Sequence, residues 1–123
     1  PWRIGIRDPD GTQGDYFAVL NVTNTCVSTS GDYENFFMRE GKRYHHIIDP
    51  RNGLPAIGTR SVTVITPDAT LADALSTALF VMGPTRAIKL VNNLPGVEAV
   101  IIDSDGQVLF SNNIANRLDR LPD

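Results

Sequence analysis

A change in hydrophobic periodicity near the middle of the chain limits the folds that it can adopt. Residues 68–83, DATLADALSTALFVMG, place apolar side chains three and four positions apart, as on one face of an α-helix. Thr70 is expected to cap this helix and Gly83 to end it. The segment PTRAIKLVNNLP, residues 84–95, predicts a second, shorter helix that begins at Pro84, because proline is tolerated in a first helical turn.

The segments on both sides of these helices are typical of β-strands. Before the helices, strands are predicted at residues 2–6, 16–24, 26–31 and 60–66, with a hairpin at 36–48 that turns at Glu40-Gly41. After them, GVEAVIID and QVLFS form a hairpin across SDG, and the tail is weakly patterned. This order predicts an α+β fold in which two helices pack on one face of an antiparallel sheet.

Size, charge and missing motifs exclude several classes of protein. The chain has 123 residues, the size of one domain, with a net charge of −3 and its Lys and Arg residues scattered. Nucleic acid is therefore not expected as a partner, because phosphate binding needs clustered cations. The single cysteine, Cys26, is expected to be a small buried hydrophobe. No GxSxG, Walker, GxGxxG or HExxH motif is present.

The first candidate site is on the predicted first helix. Asp73 and Thr77 are four residues apart, so their side chains lie on one face. Both carry hard oxygen atoms, which suit Mg²⁺, a cation that completes its shell with water or phosphate. Spacing alone favours a structural role, because Thr70 and Asp73 nearly form a capping box. Thr77 can also donate to the carbonyl four residues back.

The segment STSGDY, residues 28–33, is a candidate for nucleotide binding. It places small hydroxyl side chains before Gly31 and Asp32, where backbone N–H groups can face a phosphate. Tyr33 can stack on a planar ligand. The alternative is an ordinary turn in which Tyr33 is half-buried by packing.

The stretch HHIIDPRNGLP, residues 45–55, contains both histidines of the chain. In a strand, His45 and His46 point to opposite faces, so one is expected to face the core or a cleft and the other solvent. Pro50 restricts Asp49 to an extended or turn conformation, from which its carboxylate can accept N–H bonds of the following loop. The structural alternative is a satisfied inner histidine beside a plain Asx-Pro turn.

Five successive segments together resemble the C-terminal half of the FAD:protein FMN transferases, the ApbE family, once called thiamine biosynthesis lipoproteins. The segments are PWRIGIRDP, STSGDYENFF, RYHHIIDPRNGLP, SVTVIT and ADALSTALFVMG, within about residues 1–110. The resemblance implies that residues 1–123 are the C-terminal part of a flavin transferase domain. It also implies that an N-terminal half, absent from this sequence, or a partner chain completes the site.

The resemblance implies an enzyme that acts on FAD with the help of Mg²⁺. Such an enzyme transfers FMN from FAD to a threonine hydroxyl of an acceptor protein and releases AMP. Some members hydrolyse FAD to FMN and AMP instead, so an FAD pyrophosphatase is an alternative. An FAD-binding module without turnover and a purely structural α+β domain are two further alternatives.

Individual roles follow from the family motifs by position. The metal ligands that the resemblance implies are Asp73 and Thr77. The cofactor-binding residues that it implies are Ser30, Gly31, Asp32, Tyr33 and His46. Both His46 and Asp49 are implied to be catalytic, and either His46 or a neighbouring carboxylate is a candidate base for the threonine hydroxyl. No role is implied for His45, where the family often has serine.

The resemblance also implies a partner and a compartment. The partner is a flavin-accepting protein with a target threonine, such as a subunit of a membrane redox complex. The compartment is the periplasm or cell envelope, with the full-length protein anchored to the membrane as a lipoprotein.

Overall fold

The structure is a computed structural model, which describes residues 1–120. Its helices are α1 (Ala69–Met82) and α2 (Pro84–Val91), and a 3-10 helix covers Ile114–Arg117. Its strands are β1 (Trp2–Arg7), β2 (Tyr16–Val22), β3 (Cys26–Gly31), β4 (Phe36–Arg39), β5 (Lys42–His45), β6 (Ile48–Asp49), β7 (Leu54–Pro55), β8 (Thr59–Thr66), β9 (Glu98–Asp103), β10 (Val108–Phe110) and β11 (Leu118–Arg120). The predicted α+β class is confirmed.

A central antiparallel sheet with the strand order β10-β9-β8-β3 organises the molecule. Side chains alternate along its strands, and both faces are buried. On β8, Val64 belongs to the core on one face and Ile65 to the core on the other. On β9, Ile101 belongs to the same core as Val64, and Val100 to the same core as Ile65. The near-continuous apolar run in β8 follows from burial on both faces.

Both helices pack on one face of this sheet, as predicted. The core on that face is shared by helix and strand residues, and it includes Ala72, Leu79 and Phe80 of α1, Ala87 and Val91 of α2, and Val62, Val64, Ala99 and Ile101 of the sheet. All of these side chains are fully or almost fully buried.

A second antiparallel sheet, with the order β1-β2-β11, covers the opposite face. Leu20 of β2 and Ile114 of the 3-10 helix pack there with Ile65 and Val100 of the central sheet. The weakly patterned tail therefore contributes a strand and part of a core. Sequence periodicity could not reveal this, because the two tail elements are only three and four residues long.

The β4–β5 hairpin confirms the predicted turn but not its length. Glu40 and Gly41 have φ angles of 52° and 74°, and a type I′ turn requires positive φ at both central positions. The second strand ends at His45, three residues earlier than predicted. The backbone N–H of His46 donates to the Asn35 carbonyl over 3.1 Å, which closes the hairpin outside the strand ladder.

The predicted loop DPRNGLP contains a short strand pair. Ile48 pairs with Pro55 and Asp49 pairs with Leu54, forming the two-stranded β6–β7 sheet. Strands of two residues have no detectable period, so the sequence indicated only the turn between them.

The N-terminus of α1 differs from the prediction. Asp68, not Thr70, caps the helix, because the Asp68 Oδ1 atom accepts a hydrogen bond of 3.1 Å from the Leu71 N–H. Asp73 therefore lies beyond the first turn and is not part of a capping box. Gly83 ends the helix as predicted, with a φ of 93° that favours glycine.

Among the helices of residues 1–120, none has both the length and the apolar composition needed to cross a bilayer.

The helix-side core yields a stability prediction. Leu79→Ala is expected to lower the free energy of unfolding by about 2–5 kcal/mol, because it deletes a fully buried side chain and leaves a cavity. Leu71→Ala, in the same helix but 40% exposed, should cost about 1 kcal/mol or less. Urea unfolding measures both, and equal losses would contradict the assigned face of α1.

Candidate functional site

Strand β3 and helix α1 meet through four hydroxyl side chains, which we call the hydroxyl cluster: Ser28, Ser30, Ser76 and Thr77. Ser30 Oγ lies 2.8 Å from Ser76 Oγ and 3.0 Å from Thr77 Oγ1. Ser28 Oγ is farther away, 3.4 Å from Ser76 Oγ. Ser76 is completely buried and donates to the Asp73 carbonyl over 2.9 Å. The cluster therefore joins the two predicted metal ligands of α1 to the predicted nucleotide segment of β3.

Asp73 and Thr77 are both exposed on α1. Within residues 1–120, no hydrogen bond or ion pair engages the Asp73 carboxylate. The Thr77 hydroxyl contacts Ser30 rather than the carbonyl four residues back. Asp73 therefore takes no part in a capping box, and Thr77 does not bond the carbonyl four residues back. Their two oxygen-bearing side chains remain available one helical turn apart.

Asp32 is held by arginines rather than left free. Its Oδ2 accepts a 2.7 Å bond from Arg60 Nε, and Arg43 NH1 lies 3.8 Å from Oδ1. The Arg60 guanidinium also bonds Asp10 Oδ1 over 2.7 Å and the Pro9 carbonyl over 3.1 Å. Burial opposes the charge of Arg60, but the bond to Asp10 and the charge of Asp32 hold its pKa above the ordinary value. Arg60 thus ties the β1–β2 loop to the end of β3.

Gly31 and Tyr33 pack against each other beside this ion pair. A Cβ atom on Gly31 would lie 2.7 Å from carbons of the Tyr33 ring, so any larger residue here would require the ring to shift. The Arg7 guanidinium lies 4.6 Å from the centre of the same ring. Burial raises the pKa of Tyr33, and the charge of Glu34 adds to the effect. In this arrangement the Tyr33 ring is packed inside the fold.

Two polar atoms in this region are buried without a hydrogen-bond partner, Asp32 Oδ1 and Arg7 Nε. Buried polar groups normally have partners, since desolvation is costly otherwise. The end of β3 therefore carries unused hydrogen-bonding capacity beside the predicted nucleotide segment.

The two histidines occupy different environments, as predicted. His45 is buried: its Nδ1 accepts the Ile47 N–H at 3.2 Å, and its Nε2 lies 2.8 Å from the Ala56 carbonyl. Nε2 must therefore carry the proton, and the ring is neutral and fully satisfied. His46 is exposed, with Nδ1 3.3 Å from the Asn35 carbonyl. A catalytic role for His46 stays a prediction.

An open depression of about 410 Å³ lies beside His46. Its lining is formed by Glu34, Asn35, Phe36, Phe37, Tyr44, His45 and His46. Another cavity, of about 380 Å³, lies beyond the opposite end of β3, next to Thr25 and Asn92. No predicted site residue lines that second cavity, whereas His46 lines the first.

The Asp49 carboxylate accepts hydrogen bonds from the following loop, as predicted. Oδ1 accepts the Arg51 N–H at 2.9 Å, and Oδ2 accepts Arg51 NH2 at 2.8 Å. These bonds hold the pKa of Asp49 below its ordinary value. Asp49 closes the turn between β6 and β7, and its predicted catalytic role stays a prediction.

The structure brings some predicted site residues together and leaves others apart. Ser30 and Thr77 are in direct contact. Within residues 1–120, no hydrogen bond or ion pair connects His46 or Asp49 to the hydroxyl cluster. The ligand-binding roles of Ser30, Gly31, Asp32 and Tyr33 also stay predictions.

Sequence reasoning missed Ser76 and Arg60. Ser76 lies on the buried face of α1, four residues after Ala72 and three before Leu79. A serine inside an apolar helical stripe is a readable signal of a bonded polar contact. Arg60 had no such signal, because nothing in the sequence places the β1–β2 loop against it.

The oxygen donors fit a hard divalent cation. Among residues 1–120, no group of three His, Cys, Asp or Glu side chains lies close enough to hold a metal. Mg²⁺ does not need such a group, since one or two protein carboxylates or hydroxyls with water and phosphate can complete its octahedron. The free carboxylate of Asp73 and the Thr77 hydroxyl match that donor set.

Comparisons with known sequences identify relatives over most of the chain. The ApbE family model matches residues 1–101. The FAD:protein FMN transferase of Treponema pallidum is 47% identical over 118 residues, which are 95% of this chain and 33% of that protein. The enzyme of the same name from Escherichia coli K12 is 39% identical over 107 residues, 86% of this chain and 30% of that protein. The chain spans about one third of the length of these relatives.

Solved structures give the same result. The ApbE protein of Thermotoga maritima superposes with a TM-score of 0.82 at 46% identity, covering 91% of this chain and 36% of that one. The flavinyl transferase ApbE of Pseudomonas stutzeri superposes with a TM-score of 0.71 at 36% identity, covering 95% and 36%.

Asp49 yields a prediction on pH dependence. Because its folded-state pKa is lowered, its contribution to stability should be present above the unfolded-state pKa of about 4 and lost as the pH falls through the folded-state value. Asp49→Asn should therefore be less stable than the wild type at about pH 6, and the difference should shrink below about pH 4. Urea unfolding across this range measures it. Arg51→Gln should show the same trend, and a difference independent of pH would contradict the assigned cause.

Proposed function

The chain belongs to the ApbE family, and from that premise we propose that it is the C-terminal part of an FAD:protein FMN transferase. The proposed whole protein transfers FMN from FAD to a threonine hydroxyl of an acceptor protein and releases AMP. FAD is the substrate and Mg²⁺ the proposed metal. The chain's share of the site is the surface formed by α1 and the end of β3.

One observation carries this proposal: the free Asp73 carboxylate lies one helical turn from Thr77, whose hydroxyl contacts Ser30 of the nucleotide segment. FAD carries a diphosphate, and an acidic chain with a net charge of −3 benefits from a cation to bind it. Asp73 and Thr77 are the residues that would hold Mg²⁺. When bound, Mg²⁺ would neutralise the diphosphate and stabilise the charge that develops on the leaving AMP.

The proposed reaction balances as a phosphoryl transfer. The acceptor threonine oxygen forms a bond to the phosphorus on the FMN side of the diphosphate. The bond between that phosphorus and the bridging oxygen breaks, and AMP leaves with the oxygen and its electron pair. The proton of the threonine hydroxyl passes to a base.

His46 is the proposed base. Its Nδ1 lies 3.3 Å from the Asn35 carbonyl, which can only accept. If Nδ1 carries the ring proton, Nε2 is left as a proton acceptor at the exposed side of the ring. His45 is unsuited to the task, since both of its nitrogens are engaged inside the fold. Asp49 is proposed to support His46 by shaping the adjoining β6–β7 turn.

The segment Ser30–Tyr33 is proposed to bind the nucleotide mainly through its backbone and through Ser30. The Asp32 carboxylate is already paired with Arg60, and Tyr33 is packed on Gly31. These two side chains are therefore proposed to hold the segment in place at the edge of the ligand.

The partner and compartment are further proposals from family membership. The partner is a flavin-accepting protein with a target threonine, such as a subunit of a membrane redox complex. The compartment is the periplasm or cell envelope, with membrane attachment as a lipoprotein.

The metal site is tested by Asp73→Ala in the full-length protein that contains this chain. AMP release from FAD with Mg²⁺ and a threonine-containing acceptor peptide should fall by about a hundredfold or more, because several kcal/mol of charge stabilisation is lost. Asp105→Ala, which replaces another exposed aspartate, should release AMP at the wild-type rate. Undiminished AMP release by Asp73→Ala would contradict the metal site.

The same assay separates the alternative activities. Flavin bound covalently to the peptide supports the transferase. Free FMN and AMP in equal amounts identify a pyrophosphatase. FAD binding without any AMP release identifies a binding module.

The base is tested by comparing the two histidines. His46→Ala should slow turnover by about a hundredfold or more and leave the melting temperature unchanged, because the side chain is exposed. His45→Ala should lower the free energy of unfolding by about 1–3 kcal/mol, because buried groups lose their partners. Thermal melts and single-turnover rates measure both effects, and full turnover by His46→Ala would remove it as the base.

A further inference from the structure

We infer that Ser76 and Ser30 form a directed chain of hydroxyl protons that turns the Thr77 oxygen outward as a ligand for a hard divalent cation. This inference rests on the proposed metal site and names two residues that position it. Neither serine need touch the cation, because each acts through Thr77.

The direction of the chain follows from counting protons. Each hydroxyl has one proton to donate. Ser76 uses its proton on the Asp73 carbonyl, which can only accept. The 2.8 Å contact between Ser76 and Ser30 therefore requires Ser30 to be the donor.

The same count fixes the orientation of Thr77. Because the Ser30 proton points to Ser76, the 3.0 Å contact between Ser30 and Thr77 requires Thr77 to donate to Ser30. The reverse arrangement would leave the Ser30–Ser76 contact without any proton, with two oxygen lone pairs 2.8 Å apart. The hydroxyls consequently point from Thr77 to Ser30, to Ser76 and to the Asp73 carbonyl.

This orientation prepares Thr77 for a cation. A neutral hydroxyl binds a metal through an oxygen lone pair, so its proton must be directed elsewhere. Here the proton lies toward β3, and Thr77 is an exposed residue, so solvent can reach it. Water cannot replace Ser76 in this chain of hydrogen bonds, because Ser76 is completely buried. Groups behind a metal ligand commonly fix its orientation in this way.

Ser28 supplies a matched control on the same strand. It lies two residues before Ser30 and faces the same helix, but its Oγ is 3.4 Å from Ser76 Oγ and, within residues 1–120, it forms no hydrogen bond with Thr77. Removing its hydroxyl leaves the path from Thr77 to the Asp73 carbonyl intact.

The test measures cation affinity of the full-length protein, with Mn²⁺ as the probe and electron paramagnetic resonance as the readout. Mn²⁺ shares the oxygen preference of Mg²⁺. Ser30→Ala should weaken Mn²⁺ binding by about tenfold, and Ser30→Thr should restore it because it keeps the hydroxyl. Ser28→Ala should bind Mn²⁺ like the wild type. Thermal melts confirm that each variant is folded.

The outcomes separate this inference from the proposed function. If Asp73→Ala abolishes Mn²⁺ binding while folded Ser30→Ala binds normally, the proton chain is wrong and the metal site stands. If Asp73→Ala also binds Mn²⁺ normally, the metal site itself fails. Equal weakening in Ser28→Ala and Ser30→Ala would overturn the directed path, as would a failure of Ser30→Thr to restore affinity.

Discussion

The packing of α1 across β3 and β8 is the contact on which the candidate site depends. Its buried face consists of apolar side chains with one polar exception, Ser76. A buried hydroxyl is costly unless it is bonded, and the bond between Ser76 and Ser30 of β3 restricts how the helix can rotate on the sheet. That restriction also determines where the next residue, Thr77, and the preceding turn, with Asp73, meet the solvent.

A second constraint holds the far end of β3. The ion pair between Asp32 and Arg60 is largely buried, and Arg60 also bonds the β1–β2 loop. Removing one member of such a pair leaves an uncompensated charge, which is more damaging than losing an exposed ion pair. The segment between the hydroxyl cluster and this ion pair is thus anchored at both ends, which suits a segment proposed to bind a nucleotide in a defined position.

The sequence predicted the parts of the fold that have a clear period. The helix that contains Leu75 and Leu79 was identified from spacing, and the strand around Val64 from its β-branched residues. The prediction was wrong where tertiary contacts determine the structure. Strand β5 ends at His45 because the N–H of His46 donates to the Asn35 carbonyl, and Asp68 rather than Thr70 caps α1. The tail strand β11 exists because β2 offers it an edge, which no local pattern reveals.

The candidate site shows the same division between local and tertiary information. Helical spacing placed Asp73 and Thr77 on one face, but only the packed structure shows that the Thr77 hydroxyl contacts Ser30 and that, within residues 1–120, the Asp73 carboxylate has no hydrogen bond or ion pair. Two protein oxygens leave most of the six positions of Mg²⁺ to water and phosphate. In the proposed site, the diphosphate would supply oxygen ligands to the cation and the cation would neutralise the diphosphate, so each must strengthen the binding of the other by the same factor. The orientation of the Thr77 hydroxyl would therefore affect the binding of both the cation and the diphosphate.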